Sequence, residues 1–229
     1  MPYKIAIICV LLPLITVHLT LTVSISFDNL RACLPYWSHC HSISATGRQY
    51  PEFFVFKAFM IPTAVFMGMY WLLLHTWLKQ ISDNNIKPHI ITAFGCMAAF
   101  MLIVYTVTLG AVGEPYALAR RLGVTVYFGF TAGGHLLLLL KFKQVNTQML
   151  NIAGEVKAMS YLCFVMLTTA VASAVAGFLW EGWDNWENAY EWWFSIIMIS
   201  LFYCVARMWK KTGFTSALST KVKVKNTGK

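Results

Sequence analysis

Charge is what this sequence has least of. Asp, Glu, Lys and Arg make up 12% of 229 residues and hydrophobic side chains 58%. That balance excludes a soluble domain, because apolar runs of transmembrane length recur along most of the chain. No GxSxG, HExxH, Walker or Rossmann pattern occurs, so the common hydrolase, zinc-protease and nucleotide-binding sites find no support. Internal repeats are absent, and no N-x-S/T acceptor lies in the first loop. Six cysteines do not make a disulfide scaffold here. Cys9, Cys96, Cys163 and Cys204 fall inside apolar runs, where thiols behave as small hydrophobes.

What is present is helix. Six apolar segments, at about 4–24, 52–79, 89–112, 117–140, 156–179 and 189–209, are each long enough to cross a hydrocarbon core of about 30 Å. The chain reads as an all-α polytopic membrane protein, a six-helix bundle over 1–212 followed by a basic, disordered tail over 213–229. The first segment is too long for a signal core and is read as a retained helix, kinked at Pro13. The SDNN tetrad at 82–85 reads as a turn. Glu114 and Pro115 suit a helix start, where negative charge and proline are both favoured. The fifth segment carries Ala170, Ala172, Ser173, Ala174, Ala176 and Gly177; small residues let membrane helices approach closely, which predicts a helix inside the bundle.

A net charge of +9 raises nucleic acid as a partner, but the basic residues lie in short connections and the tail rather than on one folded face. No nucleic-acid partner is expected. Six crossings put both termini on one side, and 13 of the 18 basic residues share that side. The other five are Arg31, Arg48, Lys57, Arg120 and Arg121. The bias predicts cytoplasmic termini.

The polar features concentrate on the opposite side. The stretch 38–57, SHCHSISATGRQYPEFFVFK, holds two histidines, a cysteine and a Ser/Thr/Gly turn before running into the second span. Cys33 and Cys40 share this loop; they form a disulfide if it faces an oxidising compartment and otherwise remain two thiols. A Cys40/His39/His41 metal site lacks a second ligand pair at zinc-like spacing, so no metal is expected. Nothing calls for a cofactor. Ionisable groups inside spans are costly and count as functional candidates. At 1.5 Å per residue, Glu52, Lys57, Arg120, Arg121 and Glu191 fall at one depth near this loop, with His18 and the aromatic neighbours Trp192 and Trp193. This predicts a charged cluster opening towards the face opposite the termini. If the site is catalytic, Glu191 or His41 is the candidate base.

The order of several short patterns resembles the DRAM-like family of six-span membrane proteins. Ile43, Ser44, Thr46, Gly47, Pro51 and Glu52 match that family's first-loop pattern, with Ala45 in place of an acidic residue and Tyr50 in place of a proline. Gly123, Phe128 and Gly129 match its fourth helix, where Arg120 replaces a histidine, and Glu191-Trp192 resembles its Glu-Trp opening the last helix. The resemblance covers about 1–212. It implies a lipid-linked role, since the family includes the factor that remodels GPI-anchor lipids and regulators of membrane lipid distribution. The expected function is binding, with remodelling by acyl transfer or hydrolysis, of a GPI-type lipid or phospholipid, or regulation of lipid distribution, with Glu52, Lys57, Arg120, Arg121, Glu191 and Trp192 holding the head group and the arginines pairing with phosphate. The alternatives are a small-solute or ion transporter and a non-catalytic membrane organiser.

Overall fold

The computed structural model describes residues 1–82 and 87–215, and among them the chain is all helix and connection, without a strand. Six helices are long and apolar enough to span a membrane: α1 (Pro2–Ser26), α2 (Glu52–Ile81), α3 (His89–Thr108), α4 (Glu114–Lys141), α5 (Ala153–Leu179) and α6 (Glu187–Lys211). This is a multi-pass membrane protein. Most of the expected SDNN turn and of the expected disordered tail lies outside the described residues. Lys210 Nζ stands 5.6 Å from the Tyr3 ring centroid, so the start of α1 and the end of α6 share one end of the bundle, here the terminus end. The other is the loop end, where residues 27–51 cover the helices.

Neighbours follow the order α4, α3, α2, α1, α6, α5, while α4 and α6 barely touch. α3 ends at Thr108, four residues before the expected boundary. Gly110 (φ +81°) turns the chain there, and a Cβ on it would lie 2.8 Å from the Arg48 carbonyl oxygen. A helix end leaves carbonyls without partners. Arg120 Nη1 donates to two oxygens at this end, those of Thr108 and Ala111, each at 3.3 Å.

The half of the bundle nearer the terminus end is closed by aromatic rings. Tyr70, Trp71, Phe202 and Trp209 are fully buried around His135, with ring centroids 4.7 Å apart for Tyr70 and Phe202 and 4.8 Å for Trp71 and His135. His135 Nδ1 donates to the Thr131 carbonyl at 2.9 Å, which leaves Nε2 to accept the Tyr70 hydroxyl at 3.2 Å. Both ring nitrogens are satisfied, as burial demands. Trp71 fits because α3 presents Gly95 to it: a Cβ there would fall 1.9 Å from the indole.

α5 departs from expectation. Its buried residues are Glu155, Met159, Cys163 and Met166, one stripe at helical spacing, all in its first half. Glu155 accepts from Lys211 Nζ at 2.8 Å and Arg207 Nη2 at 3.4 Å, fastening the start of α5 to the end of α6. The small residues beyond Met166 do not bring α5 into the bundle. Only 11% of its apolar window is buried, and it is the outermost helix. Side chains of that size give neighbouring helices little surface to pack against.

Gly95→Ala is expected to lower stability by roughly 1–3 kcal/mol through overpacking against Trp71. Gly129→Ala, where a Cβ meets nothing within 4 Å, should cost no stability in thermal unfolding in detergent and raise it by up to about 1 kcal/mol through helix propensity.

Candidate functional site

A loop lying over a bundle must pair its backbone groups or leave them to water. Here the stretch from Tyr36 to Ile43 is tied to the connection before α6 and to its first turns. His39 N–H donates to the Asn185 carbonyl at 2.8 Å. Asn188 Nδ2 donates to the Cys40 carbonyl, and Trp192 Nε1 to that of His41, each at 2.9 Å. Trp193 Nε1 reaches the Tyr36 carbonyl at 3.2 Å, and Ile43 N–H donates to Glu191 Oε2 at 3.2 Å. A Cys33–Cys40 disulfide closes the loop upstream. Trp192 is fully buried and packs edge-on to His18, ring centroids 5.3 Å apart. His18 Nδ1 donates to the Leu14 carbonyl at 2.7 Å, so Nε2 accepts the Tyr36 hydroxyl at 2.8 Å. Burial pushes the Tyr36 phenol above its ordinary pKa.

A second set of bonds ties the loop to α1 and α2. Thr46, in the 3-10 turn Ala45–Gly47, donates to the Ile43 carbonyl at 2.8 Å and lies 3.0 Å from the Thr20 hydroxyl. Glu52 is wholly buried. Its carboxylate accepts from Ser24 Oγ at 3.0 Å and from Asn29 Nδ2 at 2.9 and 3.2 Å.

The expected pocket residues therefore separate into two groups. Glu52 belongs to the α1–α2 junction. Trp192 is an anchor for the loop. Lys57 Nζ stands 5.2 Å from the Phe53 ring centroid on its own helix. His41 lines no cavity described here, and its Nε2 is buried without a hydrogen-bond partner. Arg120, Arg121 and Glu191 do meet, in a chamber of about 240 Å³ completed by Arg48, Ser44, Tyr105 and Val124. Tyr105 and Val124 are chamber residues that the sequence alone does not single out; Ser44 and Arg48 lie in the 38–57 stretch that it does. Arg48 stands four residues after Ser44 and donates to its hydroxyl at 2.7 Å.

Glu191 stands where three spaces meet. Besides the arginine chamber it lines an apolar cavity of about 60 Å³ inside the bundle, with Phe56, Met60, Leu102, Tyr127 and Met198 among its walls. It also lines a groove of about 330 Å³ bounded by Phe128 of α4, Ala170 and Ser173 of α5, and Glu187, Tyr190 and Phe194 of α6. Among the described residues both ion pairs are made by Glu155, so no carboxylate lies within 4.0 Å of a chamber arginine nitrogen. Three guanidinium groups beside one carboxylate suit a phosphate or other anion. Glu191 is the group able to accept or give a proton there. No set of three His, Cys, Asp or Glu among the described residues could hold a metal ion.

No protein-family model, curated protein or solved structure matches this chain.

Glu52→Ala should cost about 1–3 kcal/mol by stranding the Ser24 and Asn29 donors, with Glu52→Gln less damaging. Thermal unfolding of the two variants checks this. No loss in either variant would mean that these bonds contribute nothing to stability.

Proposed function

We propose that this protein binds an anionic membrane lipid, a phospholipid or GPI-type lipid, by its phosphate-bearing head group in the arginine chamber. The observation that carries the reading is that Arg48, Arg120 and Arg121 share one cavity with no ion-paired partner. Arginine at a membrane boundary is well matched to phosphate, which it binds through two parallel hydrogen bonds. The Lys and Arg bias supports placing this chamber on the non-cytoplasmic face, with both termini in the cytoplasm.

The residues behind the DRAM-like resemblance fit the same reading. Ile43 gives its N–H to Glu191, Ser44 lines the chamber, and Thr46 and Glu52 seat the loop. Gly47 has no room for a side chain, since a Cβ would stand 2.8 Å from Phe56. Remodelling of the lipid, by acyl transfer or hydrolysis, would rest on Glu191 as base and the arginines as stabilisers of developing negative charge. His41, outside the chamber, is the weaker candidate. The aromatic filling around His135 favours lipid binding over a solute path, because a path needs polar lining or water along its length.

Native mass spectrometry with lipid analysis on gently purified protein tests the proposal. Wild type should retain an anionic lipid that Arg48→Ala and Arg121→Ala lose by about tenfold or more, a difference of about 1.4 kcal/mol. Neutral lipids should be unaffected. An identical bulk-lipid profile in all three would refute the head-group site. A cysteine placed at Glu181 should react with a membrane-impermeant maleimide added outside intact cells; labelling only after permeabilisation would reverse the assigned orientation.

A further inference from the structure

We infer that the lipid reaches the arginine chamber sideways from the bilayer, with one acyl chain lying in the groove between α4, α5 and α6. The inference rests on the head-group reading above and adds the route and the chain-binding subsite.

The stripe by which α5 packs runs Glu155, Met159, Cys163, Met166. Continued at the same spacing it reaches Ala170, Ser173 and Gly177. None of the residues from Leu167 to Leu179 is buried. The first half of α5 is thus held by sulfur-bearing side chains and the Glu155 ion pairs. The second half presents small side chains across a gap of about 330 Å³. On the far side of the gap, α4 and α6 meet through the Phe128 and Phe194 rings, whose centroids are 5.7 Å apart in an edge-to-face arrangement. The groove is therefore walled by helices of the bundle and lies at the bilayer-facing side of the molecule.

Two features assign its occupant. The groove adjoins the arginine chamber, because Glu191 lines both. Its walls are mainly apolar in area, with Ser173, Glu187, Tyr190 and Glu191 as its polar residues, whereas three arginines line the chamber. One ligand that satisfies both is an amphiphile carrying phosphate at one end and hydrocarbon at the other. A water-soluble phosphate ester would use the chamber alone.

The test compares phosphatidic acid with glycerol 3-phosphate, which has the same phosphate and glycerol without the chains. Binding of each to the full-length protein is measured by native mass spectrometry for wild type, Ser173→Trp, Val171→Trp and Arg121→Ala. Ser173→Trp fills the groove, whereas Val171 is exposed and lines none of the three spaces. The expected result is a loss of phosphatidic acid in Ser173→Trp of about tenfold, with glycerol 3-phosphate binding unchanged. Val171→Trp should match wild type, and Arg121→Ala should weaken both ligands. Unchanged phosphatidic acid binding in Ser173→Trp, with loss in Arg121→Ala, would overturn the groove and leave the head-group site standing. Loss of both ligands in Ser173→Trp would also overturn it, since the groove would not be a separate subsite. No loss in Arg121→Ala would remove the head-group reading itself. As a control independent of tryptophan tolerance, a benzophenone amino acid at Ser173 should crosslink the retained lipid in detergent, and one at Val171 should not. Equal crosslinking at both positions would count against the groove.

Discussion

Hydrogen-bond satisfaction between the first loop and the start of α6 is the constraint on which the loop end depends. Four backbone carbonyls or amides of the loop, and the amide of Ile43 in addition, find partners between Asn185 and Trp193. Buried polar groups at a membrane boundary have little water to fall back on. The bonds therefore act together to set where the loop lies. Glu191 and Trp192 are neighbours in sequence with different tasks: one carboxylate receives the Ile43 amide and faces the chamber, while one indole locks His41 and fills the space beside His18.

Order at the two ends of the bundle is achieved by different means. Rings and close-fitting glycines fill the terminus end, where Trp71 lies against Gly95 and Gly134. At the loop end, polar bonds enclose space rather than fill it. α5 follows the same division along its own length, packed over its first half and standing away over its second. The fold thus leaves open space at one end without loosening the aromatic core at the other.

The spans were legible because transmembrane length and apolarity are local properties of the chain. The depth of Arg120, Arg121 and Glu191 was legible for the same reason, since rise per residue is fixed. What the sequence does not carry is azimuth. Glu52 shares their depth yet faces α1, where Ser24 and Asn29 receive it, and Trp192 faces the loop. Arg48 reaches the chamber only because the turn Ala45–Gly47 folds back over the helices. The small residues of α5 misled for a related reason: they permit close approach, but whether a partner helix arrives depends on how the rest of the bundle closes.

Arg120 has two allegiances. Its guanidinium closes the end of α3 by holding the carbonyls of Thr108 and Ala111, and the same residue lines the chamber. A bound anion must share that group or draw it away from the helix. On the proposed reading, affinity and the fraying of one helical turn would be linked quantities: occupancy of the chamber would register in the backbone of α3, and a change that firms up that turn would alter how readily the arginine is released.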